Sequence, residues 1–518
     1  MRGPSKTSSP SPTWSRQATD SAATLSSVAA LRFMQSHPMP DTIFHPPLVQ
    51  IAFSVIDVRR TERWFREGLG FLPSGGNRLI MSSPLIALIQ GLPRAASTCW
   101  WMVGRNPWFQ LEMFQFRRPM ARLMPADFRP CDTGYTRIGV TVADFDATLE
   151  RLADLGSMPL SAVLGERGKR RACVRNPDGV FVEVMQDDPL PKPAGSERSG
   201  CDVAVRSVTL SSPDLAASVA YLTAIGGKAP QDIPLHAQAH EALWGLPGAK
   251  CDRAVFAFGD VLLEVVQYTD PIGKPWPEGY RLSDQRILNI AVGACNRRDH
   301  EQVYERAMRF GARPNFRPIH MGGAGCVYEN DRLGFSVEVL WMRRGGPERK
   351  WGFVPLPASS RPEPDNQRVE AKVLIEAPPD TVWNVLTDQD RMSGWIGFDP
   401  VTRVRDGWPD RDGVGSERRM KGPGGTIVEQ VIGVEPKRRI RYRVIEGSPF
   451  IFHNGEITVE PRGNATEVSW SIRFRSRIPL LGAFWQSVVG ALLPRMLSKV
   501  LKPFAERSVA AGGAPFGA

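Results

Sequence analysis

LVQIAFSVIDVRRTERWFREGLGF, Leu48 to Phe71, is the stretch on which the reading of this chain turns. An alternating apolar run ends at Asp57, a short segment carries Trp64 and Phe65 on one helical face, and Gly-Leu-Gly-Phe stops it. A strand feeding an amphipathic helix that ends at glycine, followed by further strands, predicts a βαβββ module.

The signature recurs three times, more weakly, before residue 342. Tyr135 to Val142 opens a second copy, with a helix from Asp144 to Gly156, an Asn-Pro-Asp-Gly turn and the strand Val180 to Met185 inside NPDGVFVEVMQ, Asn176 to Gln186. A third begins at Val205 to Leu210, runs a helix through Tyr221 to Gly226 and has the strand Val261 to Val266. A fourth has a strand and helix between Ile287 and Gly311 and closes at Phe335 to Leu340. This pattern resembles the vicinal oxygen chelate superfamily, the glyoxalase and bleomycin-resistance fold, which implies that pairs of modules close around cup-shaped sites. Taken in chain order, the modules group into one such domain at residues 46–190 and another at 200–343.

The 518 residues exceed one core, and about three domains is the ordinary expectation. A composition of 42% hydrophobic and 23% charged residues is that of a soluble globular chain. The net charge of +11, 65 Lys+Arg against 54 Asp+Glu, is dispersed without a basic stripe, so nucleic-acid binding is not expected. Seven cysteines, none in a CxxC pair, predict a reduced, cytoplasmic protein without a disulfide framework. The longest apolar stretch, Leu480 to Leu493, falls short of the roughly 18 residues of a membrane span. Residues 1–45, rich in Ser, Pro, Thr and Ala, are expected to be disordered, with Met34 or Met39 as an alternative start.

Two proline-rich stretches punctuate the chain, Pro189 to Ser199 and Gly345 to Asn366. Both read as linkers, and the second, at 345–366, as an exposed tether. Beyond it, strand Val369 to Ile375, a helix at Thr381 to Leu386, at least five strand candidates and a long helix from about Leu480 form a different unit. Its phrases IEAPPDTVWNVLTDQDRMSGW, Ile375 to Trp395, and DGVGSERRM, Asp412 to Met420, resemble the START-like helix-grip superfamily, the SRPBCC or polyketide cyclase/dehydrase group. The resemblance covers residues 367–508 and implies a curved antiparallel sheet gripping the C-terminal helix around an apolar cavity. The fold class is therefore α+β: tandem βαβββ-module domains plus a helix-grip sheet.

Alternation supports a dry inner face there. Val468, Trp470, Ile472 and Phe474 share one side of a strand, and Ile440, Tyr442 and Val444 oppose Arg439, Arg441 and Arg443. Trp395, Tyr442, Trp470 and Phe474 are the candidate ligand-binding residues, and Pro494 predicts a kink in the long helix. Glu429, Tyr442 and His453 lie on neighbouring candidate strands and are weak candidates for catalysis, since such a set could polarise a ketone and move a proton.

The chelate resemblance implies metal-ligand positions on the first and last strands of each module. They are Gln50, Glu112, Arg137 and Glu183 in the first domain, and Ser207, Glu264, Asn289 and Glu338 in the second. A guanidinium stays protonated and cannot coordinate a cation, so Arg137 is expected to pair with Glu112 or Glu183 and the first domain to bind no metal. Ser207 and Asn289 are weak ligands, which leaves open a hard cation held by two carboxylates and water. No metal is favoured; Gln50, Glu112, Glu183, Glu264 and Glu338 are the weak candidates. No histidine falls at the positions that the superfamily's iron dioxygenases use. His236 and His240, four residues apart without an HExxH pattern, read as a solvated loop pair, and His300 and His320 as lone residues.

The expected function is binding or sequestration of small hydrophobic, polyketide-like or aromatic molecules. The alternatives are a glyoxalase-type metal-dependent lyase or isomerase and a polyketide cyclase or dehydratase acting in the C-terminal cavity. The expected partner is a small hydrophobic ligand, with no nucleic acid and no membrane span; a homo-oligomer is left open.

Overall fold

The structure is a computed structural model that describes residues 43–510, apart from 78, 193, 194 and 423. The expectations for residues 1–45, Met34 and Met39 included, fall almost wholly outside the described residues. The architecture is α+β: two sheets built from the four modules, and a third, antiparallel sheet with a long C-terminal helix.

Each module's helix starts in the same way. Asp57, Asp144, Asp214 and Asn296 sit just before Val58–Arg63, Phe145–Asp154, Leu215–Gly226 and Arg297–Arg309, and each side chain accepts a hydrogen bond from a first-turn backbone N–H. The turns before two of the closing strands also match. Asn176 and Asp331 each accept two backbone N–H bonds, and Gly179 and Gly334 supply the positive φ that the chain needs there.

The modules do not pair in chain order. The first strand of module 1, Leu48–Ser54, runs antiparallel to the first strand of module 4, Arg286–Ala294. The first strand of module 2, Gly134–Val142, runs antiparallel to that of module 3, Val203–Ser211. One sheet thus joins modules 1 and 4 and another joins modules 2 and 3. The division into cups at 46–190 and 200–343 is corrected accordingly. Alternation marks a module but does not say which of three equivalent edges will meet its own, and the short 2-to-3 connection leaves 1 and 4 to close on each other. All four modules share one core, in which Ile51, Phe53, Trp64, Val140, Leu152, Val208, Tyr221, Ile290 and Val303 are buried.

The stretch 345–366 is not an exposed tether. Phe353 is 3% exposed and packs with Ala291 and Leu340, Leu356 N donates to Pro73 O (2.7 Å), and Arg59 Nε meets Asp365 Oδ1 (2.6 Å). A segment with few regular hydrogen bonds of its own is held by apolar anchors that its proline content does not reveal.

In the C-terminal unit seven strands run in the order Gln367–Ile375, Ala465–Ser476, Phe450–Arg462, Arg439–Glu446, Gly425–Glu435, Glu417–Gly422 and Val401–Arg405. The helix Gly482–Met496 passes through a π turn, Leu497–Leu501, into Lys502–Ala510. Pro494, which has no N–H to donate, stands just before that turn, where the sequence predicts a break. Leu493, Leu497, Leu501 and Ala505, four residues apart, bury one stripe in the core. The span Pro479–Val509 is long and apolar enough to cross a membrane by length and composition, with mean hydropathy 1.3, and 17% of its most apolar window is buried.

The expected ligand wall is filled. Trp395, Tyr442, Trp470 and Phe474 are 0%, 2%, 3% and 0% exposed, so protein atoms and not open space surround them. Trp470 meets Trp395 and Tyr442 edge-on at 6.0 and 6.1 Å, and its Nε1 donates to Tyr442 Oη at 2.9 Å. Trp470→Ala should therefore cost about 3 to 5 kcal/mol of stability in denaturant unfolding. A loss below about 1 kcal/mol would show that the ring faces a space the core does not need.

Candidate functional site

Re-pairing the modules redistributes the ligand positions between the cups. Register places Gln50 and Glu112 from module 1, with Asn289 and Glu338 from module 4, on one face of their sheet: Ala52 lies opposite both Glu112 and Asn289, and Ala291 lies opposite both Gln50 and Glu338. Arg137 and Glu183 from module 2 join Ser207 and Glu264 from module 3 in the other cup by the same rule.

The first cup is an oxygen-rich cage without a cationic side chain among its ligand positions. Gln50 Nε2 donates to Glu112 Oε2, and Glu112 Oε1 accepts from Trp101 Nε1 (2.9 Å) and Cys99 Sγ (3.1 Å). Tyr328 and Cys326 play the same part for Glu338. Burial pushes the Glu112 carboxyl up to about 7, against those hydrogen bonds. Burial, and then the charge of Glu112, pushes Glu338 up to about 8. Two acids this close and this dry titrate as a pair and hold at least one proton at neutral pH. Beside them the Asn289 amide is fully buried, and neither its oxygen nor its nitrogen has a partner; nor has Glu338 Oε2.

That donor set fits a hard divalent cation: two carboxylates and two amide oxygens on one face, with unsatisfied lone pairs. Among the described residues no group of three or more His, Cys, Asp and Glu side chains is placed to hold a metal, so such a cation would depend on Gln50 and Asn289. The packed stretch after module 4 lies against the cage. Gly352 sits against the Trp101 ring so closely that a Cβ there would come within 2.7 Å of it, and Gln110, with its amide turned to donate, reaches Gly352 O (2.8 Å) and Trp351 O (3.0 Å).

The second cup is filled by cations. Arg137 Nη2 bonds Glu264 Oε2 (3.0 Å) and its Nε lies 3.6 Å from Glu183 Oε2. Its expected partner Glu183 is confirmed, while Glu112 belongs to the other cup. His236, read from sequence as a solvated loop residue, is corrected: its side chain is fully enclosed and bridges the same two carboxylates at 3.0 and 2.8 Å. Arg171 and Arg253 take the outer oxygens, and Trp244 lies under the Arg137 guanidinium at 3.3 Å. Burial alone would raise Glu264, yet His236, Arg137 and Arg253 hold it down at about 2, and Glu183 is held lower still. Burial alone would lower His236, yet Glu264 and Glu183 hold it above its ordinary value. No metal fits here.

The candidate catalytic trio in the C-terminal unit is divided. Glu429 is paired with Arg418 (2.7 Å), whose guanidinium reaches over the Tyr442 ring, and the Tyr442 hydroxyl is bonded to Trp470. His453 lies elsewhere, against Phe450 and Ser448, where burial lowers it to about 4. Sequence reasoning missed Cys99, Trp101, Cys326 and Tyr328, whose positions on strands beside the glutamates are the one signal that would have found them. It also missed His236, which acts from a loop with no periodic signal.

Removing the imidazole from the second cup should destabilise the chain in a pH-dependent way. Because His236 is raised in the folded state, its stabilisation is complete below the unfolded value near 6.5 and lost as pH climbs through the folded value. His236→Ala should therefore lower the melting temperature more at pH 6 than at pH 9, and an equal loss at both would mean that the ring is held neutral.

No curated protein matches the chain. Among solved structures, glyoxalase I from Zea mays is similar over 57% of this chain and 92% of its own length, at 16% identity and a TM-score of 0.38. A putative dioxygenase from Bacillus subtilis is similar over 61% and 92%, at 11% and 0.39. The Zhui aromatase/cyclase from Streptomyces covers 29% of this chain and 99% of its own, at 23% and 0.25. Residues 366–510 match the family model described as polyketide cyclase / dehydrase and lipid transport.

Proposed function

We propose that the protein is a divalent-cation-dependent small-molecule enzyme of the glyoxalase-type lyase or isomerase class, working in the cup of modules 1 and 4. The observation that carries this reading is the uncompensated pair Glu112 and Glu338 beside the unsatisfied Asn289 amide. Gln50, Glu112, Asn289 and Glu338 would hold the cation. When bound, it would polarise a substrate oxygen and acidify the adjacent C–H bond.

The chain's own residues supply the proton handling. Burial raises Glu112, and burial with the charge of Glu112 raises Glu338, so without a cation these carboxyls hold protons; a bound cation would displace them, and a carboxylate released from it would be free to take the substrate proton and return it. Trp101 and Cys99 fix the orientation of Glu112, and the enclosing sheet face excludes water. Trp351 to Phe353 pack against this cup and help enclose it, with Gln110 donating to the carbonyls of Trp351 and Gly352.

A second reading, binding of a small ligand without chemistry, has its own support. A cleft of about 870 Å³ lies where modules 1 and 4 meet the C-terminal sheet, lined by Met120, Met124, Tyr280, Trp408 and Ile445 among polar neighbours. It is large enough for a drug-sized molecule, whereas the interior that the sequence offered for this purpose is packed.

Manganese or magnesium titrated calorimetrically into the whole protein should bind at one site per chain. Affinity should rise steeply between pH 6 and 8 as the cation displaces the shared protons. Glu338→Gln should abolish that site, while Arg137→Gln should leave it intact. Absence of binding at pH 8, or retention in Glu338→Gln, would end the metal reading in favour of the binding one.

A further inference from the structure

A second, smaller cleft of about 310 Å³ opens where the end of module 1's last strand meets the C-terminal sheet. Four arginines line it: Arg117 and Arg118 from module 1, Arg443 and Arg477 from the C-terminal sheet and the residues after it. Glu446 is the sole carboxylate among its lining residues, and it is exposed and forms no ion pair among the described residues. Arginines this close in a folded protein ordinarily bring their own acids, as those of the second cup do.

These do not. Among the described residues no carboxylate or carbonyl bonds Arg117, and its guanidinium is half-buried beside the like charges of Arg118 and Arg477. Arg443, 7% exposed, bonds only neutral acceptors, Gln430 Oε1 (2.6 Å) and Ala121 O (2.7 Å), while the one acid that acts on it, Glu417, is bonded to Gln430 Nε2 (2.7 Å) instead. Arg118 reaches Ser82 Oγ (3.2 Å) and Arg477 reaches Ser448 O (2.7 Å), again without a countercharge. Clustered guanidiniums repel one another, and their forked donors match carboxylate or phosphate oxygens.

The opposite wall is apolar and locally strained. Phe452 holds φ at 49°, a left-handed conformation rare for a bulky side chain, at a break in strand register between Ile451 and Asn454. That break puts Phe452 and His453 in the wall beside Phe450, facing Ile56 and Met120 of module 1. Strain of this kind persists where the surroundings require it.

We propose that this junction cleft is a binding site for a small aromatic or apolar molecule that carries a carboxylate or phosphate. The oxyanion lies among Arg117, Arg118, Arg443 and Arg477, and the ring against Phe450 and Phe452. The site is separate from the acidic cage and stands or falls independently of it. Because its walls come from module 1 and from the C-terminal sheet, ligand binding also braces the two units against each other.

The test uses the whole chain and three naphthalene probes: naphthoate, naphthyl phosphate and the uncharged naphthylmethanol. One of the two anions should bind at a single site, at least about tenfold tighter than the alcohol, and the tighter anion identifies the oxyanion served. Arg117→Gln with Arg477→Gln should weaken the anions by about tenfold or more and leave the alcohol unchanged. The melting temperature should change little, since relieved repulsion offsets the lost Arg477 bond to Ser448 O. Arg117→Gln alone has no partner to lose among the described residues and should act in the same direction with a smaller drop. Equal affinity for anion and alcohol, or unchanged anion binding in the double variant, would overturn the proposal.

Discussion

The antiparallel contact between the first strands of modules 1 and 4, Leu48–Ser54 against Arg286–Ala294, governs most of what is distinctive about this chain. A first strand buries one face in the common core and turns the other into a cup, so whichever strand lies beside it contributes the side chains that its own must live with. Gln50 and Glu112 therefore meet Asn289 and Glu338, and Arg137 and Glu183 meet Ser207 and Glu264. Had the pairing followed chain order, Gln50 and Glu112 would have shared a cup with Arg137 and Glu183, and Ser207 and Glu264 a cup with Asn289 and Glu338. The nested pairing instead brings both amides, Gln50 and Asn289, to one pair of acids and leaves Arg137 with Ser207 and the other pair.

The two cups answer the same physical problem in opposite ways. Two carboxylates in a dry cavity are costly unless each is neutralised by a proton or a cation. In the cup of modules 2 and 3, Arg137, Arg171, Arg253 and His236 neutralise Glu183 and Glu264 within the protein, which closes that cup to metals. In the cup of modules 1 and 4, no cationic side chain takes an equivalent position, so burial leaves Glu112 and Glu338 raised and without a countercharge. The four modules supply equivalent positions, and Arg137, where the others carry Gln50, Ser207 and Asn289, separates the two cups.

Much of this was legible in the sequence and some of it could not be. The four modules, the Asx residue before each helix, the C-terminal helix-grip unit and the ligand positions themselves are local patterns, carried by alternation, caps and turns at fixed offsets. Which module faces which is not local. It is decided by edges that look alike in sequence, and so Gln50 and Asn289 were each read with the wrong partner. The same limit applies to Trp395 and Trp470: alternation shows that their faces are dry, but not whether a dry face meets a ligand or another ring. His236 escaped because a loop residue carries no period, and its role exists only once the two glutamates have been brought to either side of it.

The stretch from Trp351 to Phe353 shows why the boundary between the modules and the C-terminal unit is more than a spacer. Its backbone carbonyls meet Gln110 beside the acidic cage, its glycine lies flat on Trp101 where any side chain would collide, and Phe353 fills an apolar recess next to Ala291. Twelve residues further on, Asp365 is fastened to Arg59 at the start of module 1's helix. The same segment thus contacts the cup at one end and anchors the C-terminal unit to module 1 at the other. The same strand of module 1, Gln110–Arg118, also carries Glu112 into the acidic cup and ends in Arg117 and Arg118 at the arginine cleft, so one element borders both.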